Sequence, residues 1–267
     1  MPARPLSAWL PHVVAAAFAL ATCCAWAQPP ALRLAFSELE PWKTKQGGQH
    51  AGAYTEIVRE LARRLGRPLA IVDCPLKRCL KMLEGGEADL VIGVQQSPER
   101  LRYLQYLATP YRRNTSDRVF LTRAGEARRI TRYDDLLGLR IGIKQGSEYF
   151  DRFDEDSRLA KDPAPNNEAS LRKLMLGRVD VVLLPEDQAL VLIEQLGLRG
   201  AIEFASLRVP DPTPRSIAVA KASPLLAQLP RLEQAMREMR EDGTLAALYN
   251  QHYYLRYRVS RQSIVID

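Results

Sequence analysis

The sequence predicts an α/β fold with mostly parallel sheets flanked by helices. Along most of the chain, short apolar runs alternate with segments in which apolar residues recur at helical spacing, and this alternation is typical of parallel sheets. Hydrophobic residues make up 46% and charged residues 26% of the 267 residues, a globular composition that excludes a disordered or collagen-like chain. The length suffices for one or two domains.

The first half of the chain begins with an apolar strand at 32–36, followed by a polar loop. Apolar residues at helical spacing predict a helix over 54–65, which ends where Gly66 and Pro68 disfavour its continuation. The further elements predicted here are a strand at 69–72, a helix at 76–83 and a buried strand at 90–94.

The second half repeats this order. A strand at 139–143 leads into residues 144–147, where we expect a helix to begin. The segment after Tyr254 lacks helical periodicity and predicts a mobile tail or a late strand. The other elements predicted are helices at 171–175, 186–196, 225–239 and 245–249, and strands at 179–184 and 216–220.

Residues 1–27 have the features of a secretory signal peptide. A short apolar run precedes small residues at the positions that a signal peptidase requires, so we predict cleavage near Ala27. The run is too short to span a bilayer, which takes about 20 residues. A lipid anchor at Cys23 is the alternative, but Thr22 disfavours the cleavage that it requires. We therefore expect a secreted protein.

Removal of this segment leaves Cys74 and Cys79 as the cysteines of the mature chain. Two cysteines five positions apart in an oxidising compartment favour a disulfide over a metal-ligand pair, and two unpaired thiols are the alternative. We expect the bridge to fix the turn before the helix at 76–83 and the direction of Arg78. With so few cysteines and histidines left, we predict no metal site and no histidine-based catalytic triad.

The charge balance gives no indication of a nucleic-acid partner. Lys and Arg number 38 and Asp and Glu 31, for a formal net charge of +7, and the excess is spread along the chain. We predict neither nucleic-acid binding nor a cofactor.

Five segments in a fixed order carry a resemblance to a known family. They are GAYTEIVRELARRLG, LEGGEADLVIGVQQSPERLRYLQYLATPY, DLLGLRIGIKQGSEYF, LRKLMLGRVDVVLL, and IAVAKASPLLAQLPRLEQAM with DGTLAALYNQHY. Together they resemble the bacterial periplasmic solute-binding proteins of the polar amino acid type, family 3. The resemblance covers nearly the whole mature chain, and it implies a periplasmic location.

The resemblance implies a two-lobed periplasmic binding protein type II fold. Each lobe is then a mostly parallel sheet flanked by helices, and two crossovers join the lobes around a ligand cleft, where hinge closure is the usual motion. We expect residues 28–113 and 210–267 to form lobe 1, and residues 114–209 to form an inserted lobe 2. The hinges are expected near 112–119 and 207–215.

Arg100 is the first candidate for a ligand contact. It ends the segment Ser-Pro-Glu-Arg, which is similar to the family's T-x-x-R element. The resemblance implies that this arginine grips the α-carboxylate of the ligand, a task for which a planar, permanently charged guanidinium is suited. The alternative is a surface arginine. Ser97 takes the threonine position of the element, as a ligand contact or as the N-cap of the turn.

Three further candidates follow from the resemblance. Ser147 takes the position of a hydroxyl at a helix N-terminus in the second lobe, where free N–H groups favour an anion, although a plain N-cap serine needs no ligand. Trp42 stands where relatives carry an aromatic residue at the cleft, and simple packing is its alternative. Arg78 lies close to a cleft-facing position, with a solvent-facing helix arginine as the alternative.

One departure from the family bears on the ligand. Amino acid binders carry an acidic residue for the α-ammonium just after the strand that resembles VDVVLL, but Pro185 takes that place here. Glu186 or Asp187 would serve after a small shift, and if neither does, the ligand is an organic acid or another anion. Gln95, where many relatives have a small hydroxyl residue, also indicates an altered pocket.

The resemblance implies a non-catalytic protein that captures a small polar, carboxylate-bearing solute and delivers it to an ABC permease. We expect a monomer that contacts the permease transiently. A sensory or accessory role for a receptor or a periplasmic dehydrogenase is one alternative. The other is an enzyme similar to cyclic acid dehydratases, for which Glu38, Glu40 and Glu186 are the candidate proton donors. Fold does not separate these functions, because function depends on the site.

Overall fold

The computed structural model describes residues 29–113, 116–127 and 130–261, so the predicted signal peptide and Cys23 lie outside the described residues. Two five-stranded sheets organise the chain. The strands of the first sheet are β1 (Leu32–Phe36), β4 (Leu69–Asp73), β5 (Leu90–Val91), β6 (Leu104–Tyr106) and β12 (Ala218–Ala220). In the order β4-β1-β5-β12-β6, β12 runs antiparallel to both neighbours.

The second sheet has the same character. Its strands are β7 (Arg118–Arg123), β8 (Arg140–Lys144), β9 (Ala160–Ala164), β10 (Val181–Pro185) and β11 (Ile202–Val209). In the order β11-β7-β10-β8-β9, β7 pairs antiparallel with β11 and β10, whereas the other pairs are parallel. A small hairpin of β2 (Thr44–Gln46) and β3 (Gln49–Ala51) stands apart from both sheets.

Seven α-helices of the described chain flank the sheets. They are α1 (Ala53–Arg64), α2 (Leu76–Glu84), α3 (Asp151–Glu155), α4 (Asn167–Met175), α5 (Glu186–Gln195), α6 (Leu229–Glu241) and α7 (Thr244–Tyr249). The predicted apolar face of α1 is buried at Ile57, Val58 and Leu61, as burial of one face of an amphipathic helix requires. No helix of these described segments is long and apolar enough to cross a bilayer.

The sheets are mixed, and not mostly parallel as the sequence predicts, because each has two parallel and two antiparallel strand pairs. The structure also corrects two predictions of secondary structure. No helix begins at residues 144–147: Gly146 turns the chain with a positive φ of 76°, and the residues up to Phe150 form a loop before the short α3. The described part of the tail, residues 255–261, is not a strand: the π-helix that spans Asn250–Leu255 continues as helix to residue 257, and Tyr257 packs against the hydrophobic core that contains Ile57.

Two adjacent chain connections join the sheets. The first leads from β6 to β7 and the second from β11 to β12, and Arg112 and Arg215 form an antiparallel bridge between them. At the far end, Arg118 of β7 pairs with Val209 of β11. These connections are the two crossovers of the two-lobed fold, and they overlap the segments near which we expect the hinges.

The predicted disulfide is confirmed. Cys74 and Cys79 are bonded, with their Cα atoms 5.3 Å apart, and the bridge spans the turn from β4 into α2. Both cysteines are buried and pack with Leu83 and Val91. The bridge therefore ties the start of α2 to the end of the strand before it.

Candidate functional site

A cavity of about 100 Å³ lies between the two sheets, at the crossovers. The first sheet and its loops contribute Trp42, Gln95 and Arg100, and the second contributes Glu148 and Asp187. Ligand sites prefer such positions between lobes, where side chains from both sides can converge on one molecule.

Arg100 lies at this cavity and is only 4% exposed. Its Nη1 donates to the Gln95 carbonyl at 2.8 Å, and its Nη2 donates to the Gly146 carbonyl of the second sheet's loop at 3.0 Å. Its Nη1 also lies 3.3 Å from Oε2 of Glu148, and the Ser97 hydroxyl donates to Oε1 of the same carboxylate at 3.0 Å. Glu148 thus supplies a carboxylate to both the arginine and the serine of the S-x-x-R element.

A second ion pair is buried more deeply. Arg112 Nη1 and Asp187 Oδ2 are 2.6 Å apart, and both side chains are almost completely buried. Burial opposes the positive charge, but the Asp187 carboxylate and the Tyr54 hydroxyl outweigh it and raise the pKa of Arg112. The guanidinium also lies 4.9 Å from the ring centroid of Trp42, within the range of a cation–π contact.

Trp42 belongs to an aromatic stack that forms one wall of the cavity. Its ring stacks on Tyr54 at 5.0 Å and on Tyr253 at 4.3 Å between ring centroids, and it is 1% exposed. Gly52, at φ 103°, lies so close to the Trp42 carbonyl that a Cβ there would collide with it. Of the two roles considered for Trp42, the structure therefore shows the packing and also places the side chain at the cavity.

The crossovers contribute two more arginines. Arg118 Nη2 lies 2.6 Å from Oδ2 of Asp211, and Arg215 pairs with the same oxygen. Gln95 Oε1 accepts hydrogen bonds from Arg118 at 3.1 Å and from Arg215 at 3.4 Å. Burial lowers the pKa of Arg118, and nearby Arg215 lowers it further. One carboxylate therefore serves two guanidinium groups, which leaves a positive charge at this end of the cavity.

Lys144, at the end of β8, adds a further cation. Its Nζ donates to the Glu38 carbonyl of the first sheet's loop at 2.7 Å, and burial lowers its pKa to about 8. Around the cavity, five cationic side chains thus face three carboxylates. The cations are Arg100, Arg112, Arg118, Lys144 and Arg215, and the carboxylates are Glu148, Asp187 and Asp211. Such a site favours an anionic ligand.

The candidate residues from the sequence divide into two groups. Ser147 lines the cavity, as Arg100, Trp42 and Gln95 do, but no helix starts there, so a helix N-terminus supplies no N–H groups at this serine. Ser97 does not line the cavity and reaches it through Glu148.

Two predicted contacts lie outside the cavity. Glu186, the first residue of α5, points away and pairs with Arg208 at 2.7 Å, while the next residue, Asp187, faces the cavity. Arg78 is exposed and lines a separate surface groove beside the disulfide with Lys77. The reason is local: adjacent helix positions point in different directions, so Glu186 and Asp187 face different ways, and so do exposed Arg78 and buried Cys79.

Five charged cavity residues were not singled out as ligand contacts from the sequence: Arg112, Arg118, Lys144, Glu148 and Arg215. Arg118 and Arg215 lie within the segments expected as hinges, so a basic residue in a hinge was the available signal. Glu148 follows Ser147 directly, but the sequence predicts a helix start there, and a side chain in a helix would not be expected to point as Glu148 does in the loop. No pattern in the sequence indicates that a loop carboxylate reaches across to Arg100.

Several solved structures have a fold similar to that of this chain. In fold, the chain is similar to an ancestral arginine-binding protein bound to arginine (TM-score 0.74, 22% identity, 85% of this chain and 99% of that one). It is also similar to an ancestral amino acid-binding protein described as a precursor of cyclohexadienyl dehydratase (0.68, 19%, 84% and 94%) and to a histidine kinase sensor domain (0.71, 17%, 84% and 95%). No curated protein matches the chain.

Similarity of fold at such low sequence identity does not establish the family of this chain, but a match to a family model does. It matches residues 32–254, which include both sheets and both crossovers. The family resemblance read from the sequence is therefore confirmed. This chain belongs to the bacterial extracellular solute-binding proteins, family 3.

Proposed function

We propose that this protein captures a small polar solute with a carboxylate group between its two lobes and presents it to an ABC permease. The observation that carries the proposal is the excess of cationic side chains around the cavity. They are Arg100, Arg112, Arg118, Lys144 and Arg215. Guanidinium groups bind carboxylates through charge-assisted hydrogen bonds, which are stronger when they are buried.

In this proposal, residues 28–113 and 210–267 form lobe 1 and residues 114–209 form lobe 2. The strands of the first sheet all fall in the first set and those of the second sheet in the other, which supports the division. Closure by rotation about the crossovers, where Arg112 pairs with Arg215, would bring the walls of the cavity together around the solute.

The location and partners are part of the same proposal. The protein is exported to the periplasm through a signal peptide cleaved near Ala27, acts as a monomer and contacts the permease transiently. Support comes from the extracellular family and from the disulfide between Cys74 and Cys79, which suits an oxidising compartment.

We propose binding without chemistry on the solute. The candidate proton donors Glu38, Glu40 and Glu186 are not among the residues that line the cavity. The carboxylates that do line it, Glu148 and Asp187, are engaged by arginines. A dehydratase needs a carboxylic acid positioned to donate its proton, and these ion pairs do not supply one.

The test begins with native mass spectrometry of protein purified from the periplasm without denaturation, to identify a retained solute. Because Trp42 is the single tryptophan after residue 27, its fluorescence reports on the cavity. We expect a saturable change on titration with the identified solute and no new product by mass spectrometry. Turnover of the solute would contradict the proposal. Uptake of the solute by membrane vesicles that contain an ABC permease encoded beside this protein would distinguish transport from sensing.

A further inference from the structure

The cavity's carboxylate site on the S-x-x-R element is already filled by the chain itself. Glu148 accepts the Ser97 hydroxyl and lies 3.3 Å from Arg100, whose other contacts are the carbonyls of Gln95 and Gly146. Arg100 therefore has protein partners on both terminal nitrogens. A solute that used this arginine would first have to displace Glu148.

An amino group in the cavity would find its natural partner engaged as well. Asp187 is two positions beyond Pro185, which takes the place of the family's ammonium-binding acid, and it lines the cavity, but it is paired with Arg112 at 2.6 Å and both side chains are buried. Separating this pair would leave Arg112 without its carboxylate in a buried site, which is strongly unfavourable. The arrangement thus selects against a solute that carries an ammonium group.

The cavity also contains buried donors with no hydrogen-bond partner among the described residues. They are Nε1 of Trp42, Nε of Arg118 and Nη1 of Arg215. All three side chains line the cavity, and their exposed fractions are 11% or less. Indole and guanidinium groups donate and do not accept, so the complementary molecule must offer acceptor oxygens.

One acceptor in the same cavity lacks a partner in the described part of the chain. Asn167 Oδ1 is buried there, while the amide nitrogen of this side chain donates to Gln188 at 2.6 Å. A hydroxyl group on the solute would satisfy this oxygen. The set of donors and one acceptor therefore suits an oxyacid that carries a hydroxyl.

The size of the cavity limits the solute further. A cavity of about 150 Å³ holds benzene, so the 100 Å³ seen here accommodates a molecule of no more than about six non-hydrogen atoms. Arginine, which is bound in one of the similar structures, is considerably larger. A short organic acid fits without reopening the cavity.

We infer that the solute is a small hydroxy acid without an amino group, whose acidic group is bound by Arg118 and Arg215 of the crossovers and not by Arg100. This inference rests on the proposed function and specifies its solute class. Asp211 balances one of the two guanidinium charges, and the other remains for the acid.

The decisive experiment is isothermal titration calorimetry with matched pairs of acids. L-Lactate and L-alanine have the same number of non-hydrogen atoms and differ in a hydroxyl against an ammonium, and glycolate and glycine form a second, smaller pair of the same kind. We expect saturable binding of lactate or glycolate, and binding of the matching amino acid that is weaker by about tenfold or more. Binding of alanine as tight as that of lactate would overturn the inference.

Variants then locate the acid. Arg215→Gln should weaken binding of the acid by about tenfold or more, because it removes a charged partner. Arg208→Gln removes an arginine outside the cavity that pairs with Glu186, and should leave binding unchanged. If Arg215→Gln does not fold by circular dichroism, Arg118→Lys keeps the charge but loses the Nε donor, and should weaken binding too. Unchanged affinity in a folded Arg215 or Arg118 variant would overturn the assignment.

The panel separates failure of this inference from failure of the proposed function. L-Glutamine and L-arginine are titrated in parallel with the acids. If an amino acid binds and the acids do not, the protein is still a solute-binding protein but the solute class is wrong. If none of these compounds binds and native mass spectrometry finds no retained solute, both proposals fail.

Discussion

The carboxylate of Glu148 connects the two lobes by contacting Arg100 at 3.3 Å and accepting the Ser97 hydroxyl at 3.0 Å. Glu148 belongs to the loop after β8 of the second sheet, whereas its partners precede β6 of the first. Lys144 makes a second contact between the two lobes, because its Nζ donates to the Glu38 carbonyl. The lobes are therefore held together at the cavity by the chain's own polar groups.

Replacing Glu148 by Gln should loosen this closure. The change removes the negative charge from Arg100, and because Glu148 is 27% exposed we expect a loss of about 1–3 kcal/mol in the free energy of unfolding, less than for a fully buried pair. Small-angle X-ray scattering should show a larger radius of gyration. Glu186→Gln, which breaks the exposed pair with Arg208, is the control and should cost less than about 1 kcal/mol. Equal effects of the two variants would contradict a closing role.

Replacing Asp187 by Asn should destabilise the protein more. The change leaves the Arg112 guanidinium without its carboxylate at a nearly inaccessible position, and removal of one partner of a buried pair costs about 3–5 kcal/mol. Urea unfolding followed by circular dichroism measures the difference. Glu168→Gln, which removes an exposed helix pair with Arg172, should cost only about 0.3–0.5 kcal/mol.

A double variant tests the cause of this effect. If the loss arises from the unpaired guanidinium, Arg112→Met combined with Asp187→Leu should recover most of the stability, because apolar residues of similar volume often replace a buried ion pair without cost. A double variant as unstable as Asp187→Asn would instead assign the loss to packing around Trp42 and Tyr54.

The disulfide should stabilise the fold without affecting the solute. The loop closed by Cys74 and Cys79 is short, so replacing both by Ala should cost about 2 kcal/mol. Solute affinity should stay the same, and the same should hold for Arg78→Ala, because Arg78 lies in a separate groove. Calorimetric titration of both variants checks this, and a weaker affinity in Arg78→Ala would return Arg78 to the binding site.

The fold could be predicted from the sequence because its signals are local and periodic. The face of α1 that carries Ile57 and Leu61 is visible in the spacing of apolar residues, and short apolar runs locate β1, β4 and β8 to within one residue. The strand expected at 90–94 is shorter, because β5 covers only Leu90–Val91. The prediction that a helix begins at 144–147 is wrong. Gly146 turns the chain with a positive φ and a loop follows, and the spacing of apolar residues does not distinguish such a loop from the start of a helix.

The site could be predicted only in part. Arg100 was a candidate because it ends the S-x-x-R element, and Gln95 because it replaces a small hydroxyl residue of many relatives, and both line the cavity. A motif gives the position of a residue but not its partner. The pairing of Arg100 with Glu148, and of Arg112 with Asp187, depends on how two lobes meet. Those contacts join residues 48 and 75 positions apart, respectively, by their sequence numbers, and no local pattern encodes them.

A buried lysine should make the stability of this protein depend on pH. Lys43 is inaccessible to solvent, its Nζ donates to the Ile92 carbonyl at 2.9 Å, and burial together with nearby Lys144 lowers its pKa to about 7. In the unfolded chain the lysine holds its proton to about pH 10.4. Between these values the unfolded state binds more protons, so the free energy of unfolding should rise with pH, by up to about 1.4 kcal/mol per pH unit for each such lysine.

The measurement is urea unfolding at several pH values between about 7.5 and 9.5, a range below the titration of most tyrosines. Lys144, with a pKa of about 8, adds to the rise over the upper part of this range. Lys43→Met removes one titrating group, so its free energy of unfolding should rise less steeply with pH than that of the wild type. Lys45→Met, which removes an exposed lysine two residues further along the chain, is the control for loss of a positive charge. Equal slopes for the wild type and Lys43→Met would show that the buried lysine keeps its proton, and would require a counter-charge that its neighbours do not provide.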